Sequence, residues 1–311
     1  MPRVPPFPSF LIIGGHRCGA RWLRANLDKH PDICAPPLNT AFFADPERMS
    51  SLGLRWYREQ FGGWRGEPIL GEAAPAYTDW RNNPSTIARQ IRRTLPDVRL
   101  IAILRNPLDR LESEVRHLMR WGRLPPEVDL YQMLSQSDPL MEKYQPARNS
   151  IIGPALGSYI ERFGDDLHLM FYDDLVADPE AFYRSALDHI GAPPTFVPDD
   201  LGDVLFSDVP HVALTPLSDE ERRIMFGFYR ADTEEIAQWT GHDLSHWDPG
   251  LPTDDALRPT TERWQQVWDR IAPELEEELP EPPVDPDVAP PADPQADPEG
   301  AQPESTPSAV D

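Results

Sequence analysis

The run Val98-Arg99-Leu100-Ile101-Ala102-Ile103-Leu104 constrains the fold more than any other stretch of this chain. After Arg99 neither pleat face carries a polar residue, so the run predicts a strand buried on both sides, as in a parallel sheet covered by helices. The neighbouring segments agree. Phe10–Gly14 is a second apolar run ending at glycines, and Ala20–Lys29 after it has a helical pattern. Pro68–Glu72 predicts another strand, and Ser85 offers a cap for a helix through Thr94 with Ile87, Ile91 and Leu95 on one face. Pro107 suits the first turn of a helix reaching about Trp121. Helix Pro154–Phe163, strand Leu167–Tyr172, helix Pro179–Ile190 and helix Ser218–Trp239 continue the alternation, the last opened by a capping box at Ser218 and Glu221. The fold read from this pattern is α/β, a central parallel sheet covered by helices on both faces. Ligands of such sheets bind at the carboxyl ends of the strands, which confines the search for chemistry to the strand-to-helix loops.

Composition removes several classes of function. Across 311 residues there are 29 Lys+Arg against 52 Asp+Glu, a net charge of −23, which speaks against nucleic acid as a main partner. The apolar runs are too short to span a bilayer, and the start of the chain lacks the pattern of a signal peptide, so a soluble, cytoplasmic protein without membrane association is expected. Two cysteines, Cys18 and Cys34, make neither a disulfide framework nor a zinc site, and the eight histidines have no ligand spacing, so no metal is expected. The acidic excess concentrates at the end, where Leu251–Asp311 carries 16 acidic and 3 basic residues. The expected organisation is an α/β domain over 8–250, an extension over 251–279 with a helix through Trp264, Val267, Trp268 and Ile271, and a disordered Pro/acidic tail over 280–311. That tail reads either as a solubilising segment or as a docking arm mimicking an anionic ligand.

Two loops carry the chemistry. The first strand runs into Gly14-Gly15-His16-Arg17-Cys18-Gly19-Ala20-Arg21, whose glycines five apart let consecutive backbone N–H groups face one anion, with Arg17 adding charge. The spacing is that of a phosphate-binding P-loop. Ala20 replaces its lysine and Arg21 its magnesium-binding hydroxyl, which speaks against an ATPase or GTPase. An ordinary glycine-rich βα turn is the plainer reading. The second loop, after Leu104, delivers Arg105 at the strand's carboxyl end, where its planar fork can chelate a phosphate, and Ser113 two helical turns later. The plainer reading there pairs Arg105 with Asp109 on the helix surface.

Taken in order, these loops resemble the sulfotransferase family that uses 3′-phosphoadenosine 5′-phosphosulfate (PAPS). Ile13-Gly14-Gly15-His16-Arg17-Cys18-Gly19-Ala20-Arg21-Trp22-Leu23, followed by His30-Pro31-Asp32-Ile33, resembles the family's first signature. Arg105, Asn106-Pro107 and Ser113 resemble its second. Between them stand Phe42-Phe43, resembling its paired aromatics, and Gly71-Glu72-Ala73-Ala74-Pro75-Ala76-Tyr77, resembling its G-E-K-[ST]-P-x-Y. Tyr172-Asp173-Asp174-Leu175 with Asp178-Pro179, and Gly241-His242-Asp243-Leu244-Ser245-His246-Trp247, resemble later motifs, the second an ending common in bacterial members. The use of only two lysines, Lys29 and Lys143, also fits the coding bias of a GC-rich bacterium. The resemblance spans about residues 10–247 and implies a P-loop-like nucleotide-binding fold.

The resemblance implies that His16, Arg17, Cys18, Gly19, Ala20, Arg21 and Trp22 hold the 5′-phosphosulfate of PAPS, and that Arg105 and Ser113 hold its 3′-phosphate. No metal takes part. Arg17 stands where the family's lysine meets the departing oxygen and is expected to stabilise its charge. Glu72 is a candidate general base, with His16 and Asp45 as others. Glu72 also reads as a structural carboxylate, His16 as a charged phosphate contact and Asp45 as a helix cap. The acceptor would be a hydroxyl or amine of a glycan or small molecule, and the oligomeric state is open. The chain departs from the pattern at Ala20 and Arg21 (usually threonines), Asn39 (a glutamate in glycan-type members) and Ala73 (a lysine), and Asp203–Pro216 holds no Lys or Arg. These departures keep a second reading in play, a catalytically impaired protein binding a bisphosphorylated adenosine as regulator or scaffold. Cys18, beside Arg17 and a helix start, is expected to have a lowered thiol pKa yet to act as a small loop residue. Trp56, Tyr57, Trp64, Tyr77, Trp80 and Trp121 read as an acceptor platform or as core, and Arg123–Arg148 as an acceptor lid.

Overall fold

The computed structural model describes residues 4–135, 138–202 and 212–253. The chain divides into Met1–Glu281 and Pro282–Asp311. The expected helix of the extension, the acidic tail and most of Asp203–Pro216 lie outside the described residues.

Five strands, β1 (Phe10–Gly14), β2 (Ile33–Cys34), β3 (Ile69–Ala73), β4 (Arg99–Leu104) and β6 (Leu167–Phe171), form the main sheet in the order β2-β3-β1-β4-β6. Every pairing in it is parallel. The apolar runs explain the layering. Phe10, Ile12, Ile101 and Ile103 point to one face, where Leu23 and Leu27 of helix Ala20–Leu27 and Tyr183 and Leu187 of helix Pro179–Ile190 cover them. Leu11, Ile13, Leu100, Ala102 and Leu104 point to the other, against Ile87 and Ile91 of helix Pro84–Thr94, Leu111 and Val115 of helix Pro107–Arg120, and Leu156 and Tyr159 of helix Gly153–Phe163. Each such side chain removed from water contributes about 1.5–3 kcal/mol, so the central pair β1 and β4 anchors both cores. Gly71 sits opposite Phe10 in the β1–β3 register, and a Cβ there would overlap the Phe10 ring.

The order places β1 at the point where the chain switches sides, with β3 on one flank and β4 on the other. The β1–β4 register slips between Ile12 and Gly14, and the Gly15 N–H then reaches the Ile103 carbonyl at 2.7 Å. The slip turns the first loop away from β1 while tying it to the end of β4, so the two loops flank one crevice.

Three expected elements differ. Asn83, not Ser85, caps helix Pro84–Thr94, its side chain accepting from the Thr86 N–H. The expected helix Ser218–Trp239 is two helices, Asp219–Phe226 and Arg230–Thr240, because the chain turns at Gly227 to bury Phe226 and Tyr229; the capping box at Ser218 and Glu221 is present. The segment read as a lid carries its own structure. It holds β5 (Glu127–Asp129), which pairs in parallel with β7 (Ala213–Thr215), and short helices Leu130–Ser135 and Pro139–Tyr144 that bury Leu130, Leu134 and Met141 in the main core.

Candidate functional site

The two strand-to-helix turns that flank the crevice end differently. At the β4 turn, Asn106 accepts from the N–H groups of Leu108 and Asp109 and donates to the Trp247 carbonyl, so the first turn of helix Pro107–Arg120 is capped by a side chain. At the β1 turn the cap position is Gly19, at φ 97°, which provides no side chain, so no cap side chain accepts from the first-turn N–H groups of helix Ala20–Leu27. A Cβ on Gly19 would be strained by that φ and would press on Leu175.

Arg105 crosses between the loops. Its Nη1 donates to the Arg17 carbonyl at 3.0 Å and its guanidinium lies 4.2 Å from the centre of the Tyr172 ring. Its Nε is buried and has no partner among the described residues. An unsatisfied buried donor costs about 1–3 kcal/mol, more when charged, and points to an acceptor that arrives with a ligand. Asp109, the alternative partner, is taken by Arg222 at 2.7 Å. Arg17, at φ 63°, sends its Nε to Ser113 Oγ at 3.4 Å and its Nη1 to His117 Nδ1 at 3.2 Å. Arg17 of the first loop therefore meets Arg105 and Ser113 of the second. Burial weakens the hold of Arg17 on its proton, and Arg21, Arg120 and Arg105 add to this against the opposing pull of Glu114.

Other loop residues turn elsewhere. Ala20 is 4 % exposed and packs in the core, and half-buried Trp22 meets Phe182 edge-on at 6.1 Å. Cys18 is buried, its Sγ donating to the His16 carbonyl at 3.3 Å. Burial pushes its thiol up to about 11, which reverses the expected lowering by nearby arginines. Without a neighbouring phosphate, burial lowers the His16 pKa, against the pull of Asp79 and Glu114.

Glu72, offered by the sequence as a base, is 0 % exposed. Oε1 accepts from the Tyr57 hydroxyl at 2.9 Å and the Tyr77 hydroxyl at 3.0 Å; Oε2 accepts from the Thr40 N–H at 3.2 Å and the Thr40 hydroxyl at 3.0 Å. Burial raises its pKa, opposed by these donors. This geometry favours the structural reading of Glu72, whose oxygens hold Thr40 at the turn carrying Phe42 and Phe43. Asp45 caps helix Pro46–Ser51 through the Arg48 N–H at 2.8 Å. Tyr57 and Tyr77 are core, with Tyr57 stacked 4.7 Å from Phe42, while Trp80 stands half-buried under the Arg148 guanidinium at 3.7 Å. Asn39 keeps a buried Oδ1 without a partner among the described residues.

Sequence reasoning passed over Glu114 and His117. Burial alone raises the Glu114 pKa, but the Arg110 guanidinium foremost, with that of Arg17, outweighs it and holds the carboxylate below the usual range. Both residues were visible as four-residue steps on one helix, Glu114 after Arg110 and His117 after Ser113. Among the described residues no group of three or more His, Cys, Asp or Glu is arranged to hold a metal ion, and no helix is long and apolar enough to cross a membrane.

Against known proteins, residues 69–196 match the model of a family described as the sulfotransferase family. The chain is similar to the membrane-associated sulfotransferase kil1 of Dictyostelium discoideum, 31% identical over 117 residues, covering 37% of this chain and 24% of that one. It is similar to the human heparan sulfate glucosamine 3-O-sulfotransferase 6, 35% identical over 108 residues, covering 35% of this chain and 30% of that one. The match thus spans a third or less of either relative's length. Among solved structures it is similar to a sulfotransferase from Alicyclobacillus acidocaldarius at 25% identity and a TM-score of 0.63, covering 78% of this chain and 99% of that one.

Proposed function

Because the chain belongs to the sulfotransferase family, we propose that it transfers the sulfuryl group of PAPS to a hydroxyl or amine of a glycan or small-molecule acceptor. The observation that carries this reading is the unpartnered Arg105 Nε, buried where the side chain already reaches across to the Arg17 carbonyl. Arg105 and Ser113 would hold the 3′-phosphate. The first-turn N–H groups after Gly19, with Arg17 and Arg21, would hold the 5′-phosphosulfate. The donor supplies an activated sulfuryl group. In the transfer, the bond from sulfur to the phosphate oxygen breaks with its electron pair left on that oxygen, a new bond joins sulfur to the acceptor atom, and the acceptor's proton goes to a base. Arg17 meets the charge left on the phosphate, always protonated and so a stabiliser rather than an acid. His16 is the base we favour: Asp79 and Glu114 support a charge arriving on its imidazole, and Arg110 and Arg81 oppose it. Glu72 would shape the acceptor side by holding Phe42 and Phe43. The glycan named for the human relative makes amino sugars the first acceptors to try. We place the reaction in the cytoplasm.

A second reading is favoured by Ala20, whose buried methyl provides no hydroxyl to a phosphosulfate: a protein that binds the bisphosphorylated adenosine without turnover. Calorimetric titration with 3′-phosphoadenosine 5′-phosphate (PAP), with ATP·Mg²⁺ as control, separates the outcomes. Tight binding that Arg105→Ala weakens about 100-fold is expected, a bidentate charged contact being of that order. Turnover of PAPS over a hydroxyl and amine panel supports transfer; binding with no turnover supports the second reading, and no binding sinks both.

A further inference from the structure

We infer that His117 is the positioning residue that fixes the Arg17 guanidinium for sulfuryl transfer. The inference rests on the transferase reading above and adds a requirement that reading does not contain, a neutral acceptor on helix Pro107–Arg120 in a fixed tautomer.

Arg17 is gripped at both ends by the chain that leaves β4. Its carbonyl accepts from Arg105 Nη1 at 3.0 Å, while its side chain donates through Nε to Ser113 Oγ at 3.4 Å and through Nη1 to His117 Nδ1 at 3.2 Å. A guanidinium has five N–H donors and accepts nothing, so the His117 contact requires a bare lone pair on Nδ1. The ring is then neutral with its proton on Nε2, an assignment made from the partner rather than from a visible hydrogen. Trp121 braces the imidazole, ring centres 3.9 Å apart. Ser113, His117 and Trp121 follow at four-residue spacing, so one helix face presents a hydroxyl, an imidazole acceptor and an indole in series.

The need for a neutral holder follows from the surroundings. The Glu114 carboxylate favours the Arg17 charge while Arg21, Arg120 and Arg105 oppose it, and a further cation at position 117, in direct contact with the guanidinium, would push it away. The two contacts use two of the five donors and leave the others for the donor's phosphosulfate. A long side chain fixed before the ligand arrives has no ordering left to do when charge develops on the departing oxygen.

The test uses the full chain and four variants, His117→Ala, His117→Gln, Arg17→Ala and the Arg17→Ala/His117→Ala double. PAP affinity is read by calorimetry, and kcat and KM for PAPS with a screened acceptor or with water as acceptor. Loss of the grip is expected to lower kcat about 10–100-fold in His117→Ala, with PAP affinity and KM changed less than about threefold. The glutamine variant, which offers a neutral oxygen acceptor, recovers most of kcat, and the double variant is no slower than Arg17→Ala alone. Effects that multiply in the double variant, or a glutamine variant as slow as alanine, overturn the inference. A wild-type protein that neither binds PAP nor turns over PAPS overturns the transferase reading instead. In that event imidazole ¹⁵N spectra of wild type and Arg17→Ala decide the remaining point. A bare Nδ1 in wild type that changes environment in Arg17→Ala supports the grip; a protonated Nδ1 in wild type sinks it.

Discussion

The ends of β3 and β4, on either side of β1, treat buried charge in opposite ways. At the end of β3, Glu72 is fully buried and every contact it needs comes from the protein, two tyrosine hydroxyls and both the N–H and hydroxyl of Thr40. At the end of β4, Arg105 is placed with equal care yet keeps a buried Nε that no atom of the described residues satisfies. A complete shell makes a charge part of the architecture; an incomplete one makes it a receptor. The helix starts repeat the contrast, Asn106 closing the β4 turn while Gly19 leaves the β1 turn open.

The largest expected effect tests the closed side. Glu72→Ala leaves the Tyr57 and Tyr77 hydroxyls and the Thr40 donors without a partner and is expected to cost about 3–5 kcal/mol of stability, read by denaturant titration. Glu72→Gln, which keeps the shape, should cost less and leave PAP affinity of the folded protein unchanged. If Glu72→Gln folds and binds normally but loses turnover, Glu72 is a base after all and the comparison breaks.

The next effect sharpens the open side through pH. His16 is lowered by burial, so the native state holds it neutral while the unfolded chain protonates it near its ordinary value of 6.5. Its contribution to stability is whole above that value and is lost as pH falls from there toward the native pKa. The slope is at most about 1.4 kcal/mol per pH unit for one proton. His16→Asn is expected to flatten that window, as measured by urea midpoints between pH 5 and 7. An unchanged slope would place His16 in water.

Asp45 gives the smallest effect. Asp45→Ala removes one helix cap, for about 1 kcal/mol, and leaves PAP binding and turnover per folded molecule untouched, as expected of a cap and not of a base. Loss of turnover alone would return Asp45 to the chemistry.

The sheet was legible because its residues repeat one instruction: Leu100 through Leu104 alternate between two apolar cores, and both cores had to be covered. The open loop was legible for a related reason, since Gly14 and Gly19 bracket a short segment whose only use for so much backbone freedom is a tight turn. The closed site was not. Glu72 owes its shell to Thr40, Tyr57 and Tyr77, which only the folded chain assembles. The break at Gly227 escaped because helical periodicity survives a turn that keeps Phe226 and Tyr229 both inward. His117 escaped because its partner, Arg17, lies in the other loop, 100 positions away. Cys18 was misjudged because nearby arginines are visible in the sequence, whereas the depth at which the thiol lies is not.

The small ladder between β5 and β7 has a kinetic consequence. Glu127 pairs with Ala213 across a stretch containing β6 and the helix Pro179–Ile190 that covers the sheet. Three residue pairs, with only Val128 buried among the β5 residues, repay little for closing so long a loop. This ladder should assemble after β6 has docked and open long before the main sheet does. In native-state hydrogen exchange the amides of Glu127–Asp129 would trade with solvent as a unit of their own, while those of Leu100–Leu104 wait for the whole domain to unfold. The small ladder would then have its own clock, separate from that of the sheet that holds the arginines.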